Sequence, residues 1–392
     1  MYERDFVSTI ASRLAEPRRF MQIVIGSRQT GKSTAVSQAL ARLDAPRVTF
    51  AFDRMRDRRP AVLEEVWDSA RSLLAREGEV ILSLDEVQKV PDWSSTVKFL
   101  WDEDTRMGRN VKVLLTGSST LTLRTGMAES LKGRYELIPS TQWTFRECRE
   151  AFGYDLEDFL YFGGYPGAAP LKDDETRWSS YIRDSIIEPT LTQDILEMEA
   201  VRKPALLRAL FEVGAVYSAQ EISYRKLLGQ LDDRGNTDVV AHYLDLLSHA
   251  GLMSGLTKYD EKVLKQRGSS PRLLVHDTSL MVVASGEGRE RLLEDSDRRG
   301  HLVETAVGAY LLARSAREDF TVHWWRDGSS EVDFVVAQGR RRTAIEVKSG
   351  RVKNVKGLGE FVQRYPGTYT LVVGSDAFPV EDFLLGKVPL FQ

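Results

Sequence analysis

The sequence predicts an α/β protein with an open parallel sheet at its N-terminal end and a second, smaller α/β domain at its C-terminal end. Three observations predict it. The apolar run Met21–Ile25 leads through a glycine turn into an amphipathic helix at 35–43. A second buried strand, 80–84, ends in the acid pair Asp85-Glu86. The last part of the chain, 284–392, alternates elements in the order α-β-β-β-α-β. Buried apolar strands alternating with helices are the mark of a parallel sheet covered on both faces.

Length and composition bound the rest. A chain of 392 residues exceeds one ordinary core, and the reading divides it into 1–150, a helical lid at 151–203, a winged-helix middle at 204–283 and the terminal domain at 284–392. Hydrophobic residues make up 42% and charged residues 28%, as in a water-soluble globular protein, and no apolar stretch suggests a membrane partner. Cys148 is the sole cysteine, which excludes an intrachain disulfide and a cysteine zinc site and points to a cytoplasmic setting. The net charge of −3 excludes wholesale electrostatic binding of nucleic acid, so any such binding must use local basic patches.

Residues Gly26, Ser27, Arg28, Gln29, Thr30, Gly31, Lys32, Ser33 and Thr34 match G-x-x-x-x-G-K-[ST] between a strand and a helix. Glycines let backbone N–H groups reach phosphate oxygens, and the helix start adds partial positive charge. Lys32 is expected to reach the β- and γ-phosphates of ATP, and Ser33 to ligate Mg²⁺. Asp85 is expected to hold the same ion through water, and Glu86 to polarise the attacking water, because ligands sit beyond the carboxyl ends of such strands. A third strand, 111–115, ends in Thr116-Gly117-Ser118-Ser119, and 131–134 (LKGR) precedes a last strand at 135–140.

Past the sheet, Gly163-Gly164-Tyr165-Pro166-Gly167 breaks a helical stretch and is expected to pack a lid near the nucleotide. Three helices at 204–252 and a hairpin from 251–258 and 272–276 predict a winged helix-turn-helix. Its third helix carries His242 and His249 but no Arg or Lys. Arg225, Lys226, Lys258, Lys262, Lys265 and Arg267 are better phosphate contacts, and a protein-binding or structural role stays open.

In the terminal domain, Glu346 and Lys348 share one strand face, and a hairpin at Gly339 brings Asp333 beside them. Two carboxylates and a lysine can bind Mg²⁺ and activate water against a phosphodiester, with Glu304 from the preceding helix completing the metal site. Lys348, Arg351, Lys353 and Lys356 form a basic run that can follow a phosphate backbone or simply face solvent.

Longer peptides carry a family resemblance: GSRQTGKST, LSLDEVQKVPDW, TGSSTLTL, LKGRYELIPSTQWTFRE, FGGYP and EVDFVV…AIEVKSG. Across nearly its whole length the chain resembles AAA+ ATPases that join an N-terminal P-loop domain to a C-terminal domain called DUF4143. The resemblance implies ATP binding, a winged-helix middle and a restriction-endonuclease-like end. By that likeness Thr116 or Ser118 is the sensor that orients water, and Arg134 is an arginine finger completing a neighbour's site, so a homo-oligomer is expected. Asp333, Glu346 and Lys348 stand in the D…ExK places of the PD-(D/E)xK nuclease superfamily. The resemblance implies no particular substrate; the function expected from the residues and domain order is Mg²⁺-dependent ATP hydrolysis coupled to DNA binding, with metal-dependent DNA cleavage by the terminal domain left open. The alternative is an ATP-switched DNA-binding or signalling protein whose terminal domain does not cleave.

Overall fold

The computed structural model describes residues 1–54, 58–117, 127, 130–195, 201–230, 237–261, 270–350 and 355–392. They form two compact units, Met1–Thr141 and Gln142–Gln392. Among the described residues no helix is long and apolar enough to cross a membrane.

The first unit is built on strands β1 (Met21–Ile25), β2 (Arg47–Ala51), β3 (Val80–Asp85), β4 (Val111–Gly117) and β5 (Tyr135–Pro139). They lie in the order β2-β3-β4-β1-β5, and every pair is parallel. β1 and β4 are buried throughout, and β3 up to its terminal Asp85, whereas the edge strands β2 and β5 are half-exposed. Alternation along β1 assigns its faces. Met21, Ile23 and Ile25 pack with Trp67 and Trp101 from the helices Pro60–Glu77 and Trp93–Arg106. Val24 packs the other way, against Phe6, Ile10, Val36 and Leu40 from the helices Asp5–Ala15 and Lys32–Ala41. Each helix thus hides an apolar stripe, and the strand ends stay free for polar work.

The second unit opens on the helices Phe145–Phe152, Leu156–Phe162 and Glu175–Tyr181; the last continues through the π-helical turns Ile182–Ile187 and Thr190–Ile195. Then come the helices Pro204–Val216, Tyr224–Gln230 and Thr237–His249, and an antiparallel hairpin of β6 (Met253–Leu256) and β7 (Arg272–Val275). Residues before the second of these helices add to the hairpin: Glu221 bridges Arg272, and Ala219 N–H donates to the Leu273 carbonyl at 2.7 Å. The helix Ser296–Glu318 follows, then β8 (Thr321–Asp327), β9 (Ser330–Gln338) and β10 (Arg341–Val347), the helix Lys356–Arg364 and β11 (Tyr369–Val373). That is the expected α-β-β-β-α-β order, in a sheet β11-β10-β9-β8 whose β10 and β11 run parallel.

Two features near the start of the second unit have a physical cause. The compact first unit closes at Thr141, because Trp143 and the helices after it pack within the second unit. The glycine break at 163–164 packs against Asp277, which lies in that second unit. Gly163 has φ 71, and a Cβ there would lie 1.9 Å from an Asp277 carboxylate oxygen. Gly164 N–H donates to the other oxygen at 2.7 Å. Only a residue without a side chain lets the carboxylate come so near. Burial pushes the Asp277 carboxyl up to about 6, against the pull of Ser279 and Gly164.

Candidate functional site

The phosphate loop begins where β1 ends. Gly26 passes so close to the end of β5 that a Cβ would sit 1.9 Å from the Ser140 carbonyl oxygen, which explains a glycine at this point. The loop then turns into the helix Lys32–Ala41, whose first N–H groups face the turn. Lys32 Nζ donates to the Gly26 and Ser27 carbonyls at 3.0 and 2.6 Å, folding over the loop it serves. A cavity above is lined by Arg28, Gln29, Lys32, Ser33, Asp85 and Glu86.

Parallel register brings the acids to the same edge. Asp85 pairs with Thr116, and Val24, one residue before the end of β1, pairs with Thr116 on the other side. Ser33 Oγ donates to Asp85 Oδ2 at 3.1 Å, and the Thr116 hydroxyl donates to Asp85 Oδ1. The expected Mg²⁺ fits this set: a helix-start hydroxyl and a strand-end carboxylate share one hydrogen bond, beside a lysine placed for phosphate. Glu86 stands in the left-handed region at φ 55, a costly backbone state for a glutamate that is often tolerated where it aims a side chain. Gln88 Nε2 donates to Glu86 Oε2 at 2.8 Å, and Lys89 Nζ lies 3.7 Å from the same oxygen.

Of the two sensor candidates, Thr116 lies in this cluster and Ser118 lies outside the described residues. Arg134 lies elsewhere. Its carbonyl accepts the N–H of Met21, the first residue of β1, so Arg134 sits at the opposite edge of the sheet from the loop. Five residues of strand, roughly 16 Å, separate the two edges. Arg134 Nε and Nη2 grip Asp102 at 2.7 and 3.0 Å, which holds the guanidinium's pKa above its ordinary value.

One residue of this site was not expected. Arg4 is 3% exposed, and its Nη1 donates to the Thr30 carbonyl at 3.0 Å and the Thr141 carbonyl at 2.9 Å, bracing the loop from behind. Thr30 adds hydroxyl contacts to the Ser27 carbonyl and to Ser140 Oγ. The signal available was weak: an arginine just ahead of an amphipathic helix.

In the second unit the hairpin of β9 and β10 does bring Asp333, Glu346 and Lys348 together. Asp333 Oδ2 accepts the Val347 N–H at 2.8 Å, and Lys348 Nζ donates to Glu346 Oε1 at 2.5 Å. Glu304 joins them from the helix Ser296–Glu318, through an arginine with no counterpart in the sequence pattern. Arg272, the first residue of β7, donates from Nη1 to Glu304 Oε1 at 2.9 Å and to the Asp333 carbonyl at 2.8 Å. Its Nη2 donates to Glu331. Burial opposes the Arg272 charge, but Glu304, Asp333 and Glu331 outweigh it and raise its pKa. Burial and the neighbouring Asp333 push Glu304 up to about 8 and Glu346 up to about 7; burial also raises Asp333. Among the described residues no group of three or more His, Cys, Asp and Glu is arranged to hold a metal ion. The signals for Arg272 and Glu331 were a charged residue opening an apolar buried strand, and a second acid two residues before Asp333 on the same strand face.

Of the basic run, Lys356 is exposed and pairs with Glu360 at 3.3 Å; Arg351 and Lys353 lie outside the described residues. So do Lys262, Lys265 and Arg267, and the side chain of Arg225. Lys226 is exposed, while the exposed face of the helix Thr237–His249 carries Asp238, His242 and Asp245.

The loop, the all-parallel sheet and its strand order define the first unit as an α/β domain of the P-loop ATPase type, a fold that suggests ATP binding and hydrolysis. Residues 18–149 match the family model of an AAA domain, and residues 299–390 that of a domain of unknown function, DUF4143. The chain thus carries an AAA domain at its N-terminal end and a DUF4143 domain at its C-terminal end. Residues 153–291, spanning the expected lid and winged helix together, match another domain of unknown function, DUF8612. Uncharacterized proteins of Mycobacterium bovis and Mycobacterium tuberculosis are each 27% identical over 340 residues, 86% of this chain and 72% of theirs. An uncharacterized protein of Haemophilus influenzae is 23% identical over 84% of this chain and 82% of its own. Among solved structures, the ORC1 protein of Aeropyrum pernix in complex with DNA is 13% identical at a TM-score of 0.30, covering 72% of this chain and 90% of its own. The RuvB Holliday junction branch migration motor of Thermotoga maritima is 13% identical at 0.31, covering 64% and 85%. Scores so low add nothing to what the strand order already says.

Proposed function

We propose that the chain binds ATP with Mg²⁺ and hydrolyses it, and that the nucleotide state switches its second unit in a DNA-binding or regulatory role without cleavage. The observation that carries the ATPase reading is Asp85, joined to Ser33 on one side and Thr116 on the other at the edge of the sheet where the loop opens. Lys32 leaves the Gly26 and Ser27 carbonyls for the β- and γ-phosphates, and the N–H groups of the loop cradle them. Ser33 and Asp85 would hold the metal, which supplies charge neutralisation at the phosphates when bound. Glu86, fixed by Gln88 and Lys89, accepts the proton of the attacking water. Thr116 keeps Asp85 oriented.

Arg134 cannot serve its own chain's site from the opposite sheet edge, so its role as a finger requires a second copy, and Asp102 must then release it. The non-cleaving reading is favoured over a nuclease because Arg272 already engages the acids that a nuclease would lend to its metal. For the DNA partner the exposed Lys226 is better equipped than the helix Thr237–His249, whose outward acids repel phosphate. One assay tests the whole: full-length protein with Mg²⁺, ATP, and plasmid and single-stranded DNA. The expected outcome is ATP hydrolysis that Glu86→Gln abolishes, a DNA shift at low salt that depends on ATP, and no cleavage. Cleavage lost in Asp333→Ala would restore the nuclease reading, and hydrolysis untouched by Glu86→Gln would remove the ATPase one.

A further inference from the structure

The acids of the terminal domain converge on a side chain. Arg272 comes from β7, outside the α-β-β-β-α-β domain, and its side chain is 5% exposed. Nη1 lies 2.9 Å from Glu304 Oε1 and 3.6 Å from Asp333 Oδ1, and it also holds the Asp333 carbonyl at 2.8 Å. Nη2 is bonded to Glu331. Two further oxygens are committed: Asp333 Oδ2 to the Val347 N–H, and Glu346 Oε1 to Lys348. A divalent ion needs several such oxygens at about 2.0–2.6 Å, and beside a buried guanidinium it would meet like charge with little solvent to screen it. The residues present therefore do not fit a metal ion. They fit a planar cation with forked donors.

We propose that this cluster is a guanidinium site filled from within the chain, with Arg272 as its resident cation in the place where a nuclease of this topology would hold metal. The site ties the β6–β7 hairpin to the terminal sheet. The tie extends outward as alternating charge: Arg326 on β8 bonds both Glu331 and Glu221, and Glu221 bridges the backbone of Arg272. Among the described residues Arg272 Nε is buried without a hydrogen-bond partner, so the guanidinium is held through its two outer nitrogens, and turning it out would strand the acids in a buried place. This goes beyond the ATPase reading and does not depend on it.

The test is Mn²⁺ binding to the full chain without nucleotide, followed by electron paramagnetic resonance. It compares wild type, Asp333→Asn, Arg272→Gln, and the double variant. Any Mn²⁺ taken up at the phosphate loop is common to all of them. Wild type and Asp333→Asn are expected to bind alike; Arg272→Gln gains a bound ion, and the double variant loses it again. A wild-type ion that Asp333→Asn removes would overturn the proposal, because metal and Arg272 would then share the cluster. So would a folded Arg272→Gln with no gain. Should Arg272→Gln not fold, the comparison of wild type with Asp333→Asn still decides. Failure here leaves the outcome of the ATP hydrolysis assay unchanged, so the two readings fail separately.

Discussion

Both units bury a basic side chain among polar groups, and the two are held in opposite ways. Lys32 rests on the carbonyls of Gly26 and Ser27, neutral dipoles of the loop it belongs to. Arg272 is gripped by Glu304 and Glu331 and by the backbone of Asp333, on elements far from it in sequence. A cation on neutral acceptors gains by meeting an anionic ligand, since triphosphate offers more than carbonyls do. A cation already neutralised by carboxylates gains nothing from a new anion and excludes other cations. The first arrangement makes a ligand site and the second a joint.

The comparison can be broken or sharpened by substitution. Lys32→Met should have the largest effect. It removes the charge meant for phosphate, so hydrolysis should fall on the order of 10²-fold or more in a steady-state phosphate-release assay, with the fold intact by circular dichroism. A Lys32 that served the fold, as Arg272 does, would instead unfold the first unit. Next in size is pH. Glu304 and Glu346 have folded-state values of about 8 and 7, above the unfolded carboxylate, so the folded form holds protons that the unfolded form has lost. Stability must then fall as pH rises toward those values. Between about pH 6.5 and 8 the second unit's melting temperature should drop by about 2–5 °C, and Glu304→Gln should flatten most of that slope in a thermal-shift series. The window lies above the titration of Asp277 at about 6 and of His276, held neutral by burial down to about 4. The smallest effect belongs to the brace. Arg4→Met should weaken nucleotide binding by about 3- to 10-fold, measured with a fluorescent ATP analogue, because lost hydrogen bonds behind the loop loosen it without touching the ligand.

What the sequence could say followed the range of each interaction. The phosphate loop, Asp85 and Glu86 were legible because glycine spacing and an acid at a strand end are local patterns. The alternation that put Glu346 and Lys348 on one face was legible for the same reason. Arg4 and Arg272 were not, because each acts across a fold: 26 residues from Arg4 to Thr30 and 61 from Arg272 to Asp333. Neither has a periodic neighbour to announce it. The sequence offers Glu304 only as a helix carboxylate that completes a metal site; nothing in a linear reading says that Arg272 bonds it. The break at Gly163-Gly164 was legible as a break, but not its partner, a carboxylate 113 residues on from Gly164.

That last distance has a consequence for how the chain is made. The first unit is complete once β5 and Ser140 have left the ribosome. The second cannot settle Gly163 and Gly164 until Asp277 emerges, 113 residues after Gly164. At about 5–20 residues per second that is a wait of roughly 6–23 seconds. A fragment begun at 204 would never supply those glycines, and would leave Asp277 without the Gly164 N–H. The second unit has to be produced whole, from Gln142 onward.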